Sequence, residues 1–206
     1  IPPHPPGDRQ VDAEGYRQTF LDSLKCLQQL LPKLPKLKQI SYTSSCSVYG
    51  NADGGWVDET TPAQPRDEHS AVLLDAEQLL QDAAAIPKKR VCILRLAAIH
   101  GPGRDLDQRF RGLAGQKRAG DGQGFTNWIH VADAAGALLR SIEEGWSGVV
   151  NVVNDEPIRL ADLVDGVLLR QGLAAIQWSG ATQQGGCNRR ISNPVSYTHL
   201  RAHETV

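Results

Sequence analysis

No apolar run in the 206-residue chain approaches the ~18 residues that a membrane-crossing helix needs, so a helical span is excluded. No charged-then-apolar leader opens it, so no signal peptide is expected, and a reducing cytoplasm is the expected setting. Neither sign of charge prevails. The 22 basic and 23 acidic residues are interspersed for a net charge of -1, which leaves no electrostatic footprint for DNA, RNA or anionic lipid. The four cysteines, Cys26, Cys46, Cys92 and Cys187, form no Cys-x-x-Cys pair and have no histidine at ligand spacing, so no metal site is expected. There is no internal repeat. What is present is an ordinary globular balance, 40% hydrophobic and 22% charged, in a chain long enough to bury a core.

Periodicity then places the elements. Tyr16, Phe20, Leu24, Leu27 and Leu31 recur at helical spacing, which predicts an amphipathic helix over about 11–31 that Pro32 ends. Residues 39–43 read as a strand running into the small-residue cluster Ser44-Ser45-Cys46-Ser47. A long polar loop with Gly54, Gly55, Pro62 and Pro65 follows, then a helix over about 66–85. Arg90 to Ile99 is nearly all apolar, as in a strand buried on both faces of a parallel sheet, and Gly101-Pro102-Gly103 breaks it. Helices are predicted near 106–113, 130–144 and 160–169, with a glycine-rich loop at 120–124 and a strand at 148–153. Strands alternating with covering helices call for an α/β, Rossmann-like parallel sheet with helices on both faces.

The ends read differently from the rest. Ile-Pro-Pro-His-Pro-Pro-Gly at the start is loop-like rather than a first element, so an upstream segment is expected. Residues 195–205 resemble one reading frame of a transposon-type sequencing adapter, so 194–206 is expected to be a non-native tail.

Four motifs in order resemble one family. Ser44-Ser45-Cys46-Ser47-Val48-Tyr49-Gly50 is similar to the Ser-Ser-x-x-Val-Tyr-Gly segment of the extended short-chain dehydrogenase/reductases. Arg95-Leu-Ala-Ala-Ile-His-Gly-Pro-Gly103 resembles their Arg-x-x-x-x-Tyr-Gly-Pro-Gly turn. Asn127-Trp-Ile-His130-Val-Ala-Asp133-Ala-Ala resembles their Ile-His-Val-x-Asp-x-Ala helix start, and Asn188-Arg-Arg-Ile-Ser-Asn193 a late basic element of atypical epimerase-like members. The resemblance, to the NAD-dependent epimerase/dehydratase branch, covers roughly residues 8–193. It implies a Rossmann-like domain without its first strands and glycine-rich turn. A substrate subdomain would be interleaved, mainly at 101–130 and 150–193.

The same resemblance implies NAD or NADP as cofactor and hydride transfer at a sugar or nucleotide-sugar carbonyl, with a homodimer through the helices near 11–31 and 66–85. In the family a Tyr and a Lys four residues on move the proton, while a Ser at the preceding strand end bonds the reacting oxygen. Here Ser45 takes the Ser place, His69 the Tyr place and Leu73 the Lys place, with Glu77 matching a Glu farther along. Imidazole titrates near pH 6.5 without a neighbouring Lys, so Ser45 and His69 are the catalytic candidates. The alternative is a histidine in a helix's first turn with no chemical role, and a non-catalytic dinucleotide-binding regulatory or partner-binding protein. Tyr42, Ser44, Ala97, Ala98 and Ile99 are the candidates for lining a cofactor groove at the carboxyl ends of the strands. Cys46, Arg104 and His130 are the substrate-side candidates. A buried thiol, an exposed loop arginine and a helix-tying histidine are their ordinary alternatives.

Overall fold

The computed structural model describes residues 12–84, 89–180 and 187–194. The expectations for residues 1–11 and for the tail from residue 195 lie outside the described residues.

The chain opens with helix α1 (Ala13–Arg17), a π-helical turn (Gln18–Asp22) and helix α2 (Ser23–Leu30), closed by a 3-10 turn that contains Pro32. One helix was expected here; the π turn inserts a residue into the ladder and swings Leu21 as well as Leu24 inward. Strand β1 (Gln39–Ser45) leads into a 3-10 turn, Cys46–Tyr49, and on to β2 (Trp56–Val57). Helix α3 (Glu68–Ala84) starts on a capping bond from Ser70 N to the Asp67 carboxylate, 2.8 Å. Then come β3 (Arg90–Leu96), β4 (Ala98–His100), α4 (Leu106–Arg111), β5 (Lys117–Arg118), β6 (Phe125–Thr126) and β7 (Trp128–His130). The rest is α5 (Val131–Glu143), β8 (Gly148–Val152), β9 (Ile158–Arg159), α6 (Leu160–Arg170), β10 (Gln177–Trp178) and β11 (Arg190–Ile191).

The central sheet is parallel, in the order β1-β3-β8. Period-two alternation sends β3 side chains to opposite faces. Val91 and Ile93 join Leu21, Leu24, Val72, Ala76 and Leu80 from the helices on one side. Cys92 and Leu94 join Ala134, Ala137, Trp146 and Val150 on the other. Both faces are therefore covered, as expected for a Rossmann-like sheet. At 25 cal/mol per Å2 of apolar area, each fully buried Leu or Ile contributes roughly 1.5–3 kcal/mol of transfer free energy.

The run 90–99 is not one strand. Ala97 N still donates to Val152 O in the central sheet, whereas Ala98 N donates to Asn127 O, and β4 then pairs in parallel with β7. An apolar run carries no mark of which partner each residue will take, so the switch was not visible in the sequence. β2 and β11, more than 130 residues apart, form another parallel pair. A third core of Phe110, Trp128, Val164, Val167, Leu168 and Ile176 packs α4 against α6. Among the described residues no helix is long and apolar enough to cross a membrane.

Candidate functional site

In a parallel sheet all carboxyl ends share one rim. The register sets Ser45 opposite Leu96 and Leu96 opposite Val152, so the serine turn and the segment leading to Gly101 leave the sheet side by side. Between them lies a cleft of about 290 Å3, walled by Ser45, Cys46, Ala97, Ala98, Asn127 and Arg189 among others.

The serine turn is fixed by local geometry. Ser45 Oγ accepts from Ser47 N at 3.1 Å, capping the 3-10 turn, and its own proton has no acceptor among the described residues. Gly50 ends the turn at φ 68, where a Cβ would lie 2.1 Å from the Gln64 carbonyl oxygen. Cys46 is buried with its Sγ donating to Arg95 O at 3.1 Å; burial pushes the thiol up to about 12, against a downward pull from the charges of Arg189 and Arg95.

Beneath the turn lies a polar knot. Arg95 and Glu77 pair at 2.7 Å with both side chains buried, and Ser44 Oγ donates to the same carboxylate at 2.5 Å. The Arg95 guanidinium sits 4.6 Å from the centre of the Tyr49 ring, and Tyr49 Oη donates to Asn151 Oδ1 at 2.8 Å. Asn151 in turn donates to Ser192 O and, through its backbone N, to Glu59. The knot ties β1, α3, β3, β8 and the segment after β11 together directly under the cleft.

Four of the sequence candidates meet at the cleft: Ser45, Cys46, Ala97 and Ala98. The others do not. Tyr42 and Ser44 were expected to line the groove, but they share the strand face that packs on α3. Tyr42 is 1% exposed within the core, and burial holds its hydroxyl well above the usual phenol range. Ile99 packs partly buried against the core. Arg104 is exposed in the turn closed by its N–H to Gly101 O at 2.8 Å, away from the cleft wall. His130 caps α5, with Nδ1 accepting from Ala132 N at 3.2 Å, and its ring abuts Gly101.

His69 lies half-buried in the first turn of α3, its ring edge-on to Tyr16 at 4.8 Å between centroids. His69, Leu73 and Glu77 fall at four-residue intervals on one helix face, and α3 starts at the rim because it crosses back from the end of β1 to the start of β3. His69 therefore stands two turns, roughly 12 Å, rimward of Glu77. Leu73 is buried.

Arg189 was missed. The basic pair 189–190 was visible in the motif, but which arginine turns inward is decided only once β11 pairs with β2. Ile191 and Arg189 then share the inner side, while Arg190 lies over the exposed Trp56 ring. Asn127 holds this segment by donating to Arg189 O and accepting from Ile191 N.

Comparison with known proteins agrees with this architecture. In Escherichia coli (strain K12), protein YeeZ is 38% identical over 117 residues, which is 56% of this chain and 40% of YeeZ. A functionally unknown conserved protein from Silicibacter pomeroyi superposes with a TM-score of 0.73 at 29% identity, covering 97% of this chain and 69% of that one. The UDP-glucose 4-epimerase of Thermotoga maritima, solved with UDP-glucose, superposes at 0.77 with 18% identity, covering 91% and 64% of the two chains, and shows a shared fold. A family model matches residues 10–153, most of the chain, and on that ground the chain belongs to the NAD dependent epimerase/dehydratase family.

Proposed function

We propose that the protein is an NAD(P)-dependent epimerase, dehydratase or reductase acting on a sugar or nucleotide-sugar carbonyl. The observation that carries this reading is the Ser45 hydroxyl, a donor without an acceptor among the described residues, facing a cleft at the carboxyl rim of a parallel sheet. The cofactor's nicotinamide end fits there: Ala97 and Ala98 supply a flat wall without bulk, and ligands of such sheets bind beyond the strand ends. Among the described residues no glycine turn joins a strand of the central sheet to a helix start, so no pyrophosphate cradle is assigned to this chain's own residues. A bound nicotinamide would supply or take up hydride.

The chain's residues do the rest. Ser45 donates to the reacting oxygen and orients it. His69, on the rimward turn of α3, lies outside the cleft wall, so its part as proton donor and acceptor for that oxygen is the element of this proposal that His69→Ala tests. The core formed by α4 and α6 frames the substrate side, as an interleaved subdomain would.

A second reading, a non-catalytic dinucleotide-binding protein, is favoured by Leu73: a buried leucine occupies the position where the family carries the lysine. Binding of NADH and NADPH by fluorescence, followed by hydride exchange against a panel of sugar nucleotides, separates the two. Turnover that falls about 100-fold in Ser45→Ala with cofactor affinity unchanged supports the enzyme. Unchanged turnover in His69→Ala removes His69 from the mechanism. Cofactor binding without turnover selects the second reading, and no cofactor binding removes both.

A further inference from the structure

Arg189 is 9% exposed, yet its charge has no counterpart. Among the described residues no carboxylate lies within salt-bridge distance of it, unlike Arg95, which is paired with Glu77. Its guanidinium makes one hydrogen bond there, from Nη1 to Gly50 O, while Nε is closed off from solvent with no acceptor at all. Five N–H donors and a full charge are thus held in the wall of the Ser45 cleft with one acceptor between them.

This is a costly arrangement. A buried cation without a partner gives up its hydration and regains little, so such groups are ordinarily found paired. Glu59, whose carboxylate accepts from Asn151 N, makes no ion pair with Arg189. Nor is Arg189 a side chain that happened to fold inward. Asn127 grips its backbone carbonyl, Asn188 is bonded to Asn51 Oδ1 and to Phe125 N, and the Ile191 side chain is fully buried beside it. The segment presents the arginine rigidly, and its field reaches the cleft: of the charges acting on the Cys46 thiol, that of Arg189 is the largest.

We infer that Arg189 recognises an anionic oxygen group of the ligand, a carboxylate or a phosphate, next to the carbon whose oxygen Ser45 addresses. The inference rests on the function proposed above and narrows it: the sugar-like substrate is acidic at the end that enters the cleft, not merely at a distant nucleotide. A guanidinium offers two parallel donors to such a group, and the bond is strongest where water is excluded. Gly50, whose carbonyl takes the one filled donor, belongs to the serine turn. Charge recognition and oxygen orientation therefore share one rigid frame.

The test is a titration of the 15N-labelled full chain, without cofactor, by glucuronate, by glucose and by inorganic phosphate. Affinity and the Arg189 Nε–H resonance are both followed by NMR. Glucuronate and glucose differ at one carbon, carboxylate against hydroxymethyl. At least one anionic probe is expected to bind roughly 10- to 100-fold more tightly than glucose and to shift the Arg189 signal, the range set by a charge-assisted bond. Whether glucuronate or phosphate does so identifies the group. Arg189→Gln keeps a donor for Gly50 O and should abolish the preference; Arg189→Lys should keep part of it. Equal affinity for all three probes in the wild-type protein, or a preference that survives Arg189→Gln, overturns the inference. The wild-type comparison stands even if the glutamine variant does not fold. Anion preference without hydride exchange would support the role of Arg189 while removing the enzyme reading. Hydride exchange on neutral sugars with no anion preference would do the reverse.

Discussion

Replacing Glu77 by Gln tests whether the polar knot holds the rim together. The substitution keeps the side-chain shape but removes the charge that compensates Arg95, whose side chain is 6% exposed while that of Glu77 is 1% exposed. Breaking one side of a buried ion pair costs about 3–5 kcal/mol, because the remaining ion keeps its desolvation penalty without its partner. Ser44 loses a charged acceptor as well, worth about 1 kcal/mol more. For a chain of this size each kcal/mol lowers Tm by about 2–4 °C, so a fall of roughly 8–24 °C is expected in a thermal melt, with a matching shift in urea midpoint at constant m. The double variant Glu77→Leu with Arg95→Met removes both charges and should recover most of the loss, since no orphaned ion is left. A single-variant loss under about 1 kcal/mol, or a double variant worse than the single, would refute the reasoning.

Three further outcomes follow. Gly101→Ala places a Cβ 2.8 Å from His130 Nε2 at a φ of +129, a region closed to L side chains, and should cost about 1–3 kcal/mol in urea unfolding while loosening the α5 cap; an unchanged midpoint would contradict the strain. For the cysteines, native alkylation at pH 8 followed by peptide mass mapping should modify exposed Cys26 and Cys187 and spare Cys46 and Cys92, whose thiols burial raises to about 12 and about 11. Because those folded values lie above the ordinary 9.0, the native state holds these protons more tightly. Their contribution to stability is complete below about pH 9 and is lost as the pH rises through 11 and 12, which a base titration of the urea midpoint would show.

The sequence disclosed the scaffold more fully than the site, for physical reasons. Helices α3, α5 and α6 and strands β1, β3 and β8 are local in origin: period 3.6, an apolar run or a glycine stop marks each, and the ends agree to within a few residues. Pairings between distant segments have no such mark. β2 with β11 and β4 with β7 rest on two or three residues each, and their partners are chosen only when the cores assemble. The cleft inherits that difficulty. Ser45, Ala97 and Ala98 could be placed at a strand end from pattern alone, but Tyr42 and Ser44 could not be assigned to a face without knowing which side α3 covers. Arg189 depended on a pairing across more than 130 residues. The motif that located His130 also allowed a helix-tying histidine, and the cap in which its Nδ1 accepts from Ala132 N is that reading.

The change of partners between Ala97 and Ala98 also has a consequence for how this chain can vary in length. Because side chains alternate along a strand, one residue added or removed at that junction would turn every later side chain of β4 to the wrong side. Ile99 would leave its packing, His100 would lose its place opposite His130, and Gly101 would no longer sit against the His130 ring. The surrounding loops can absorb insertions; this single peptide link cannot.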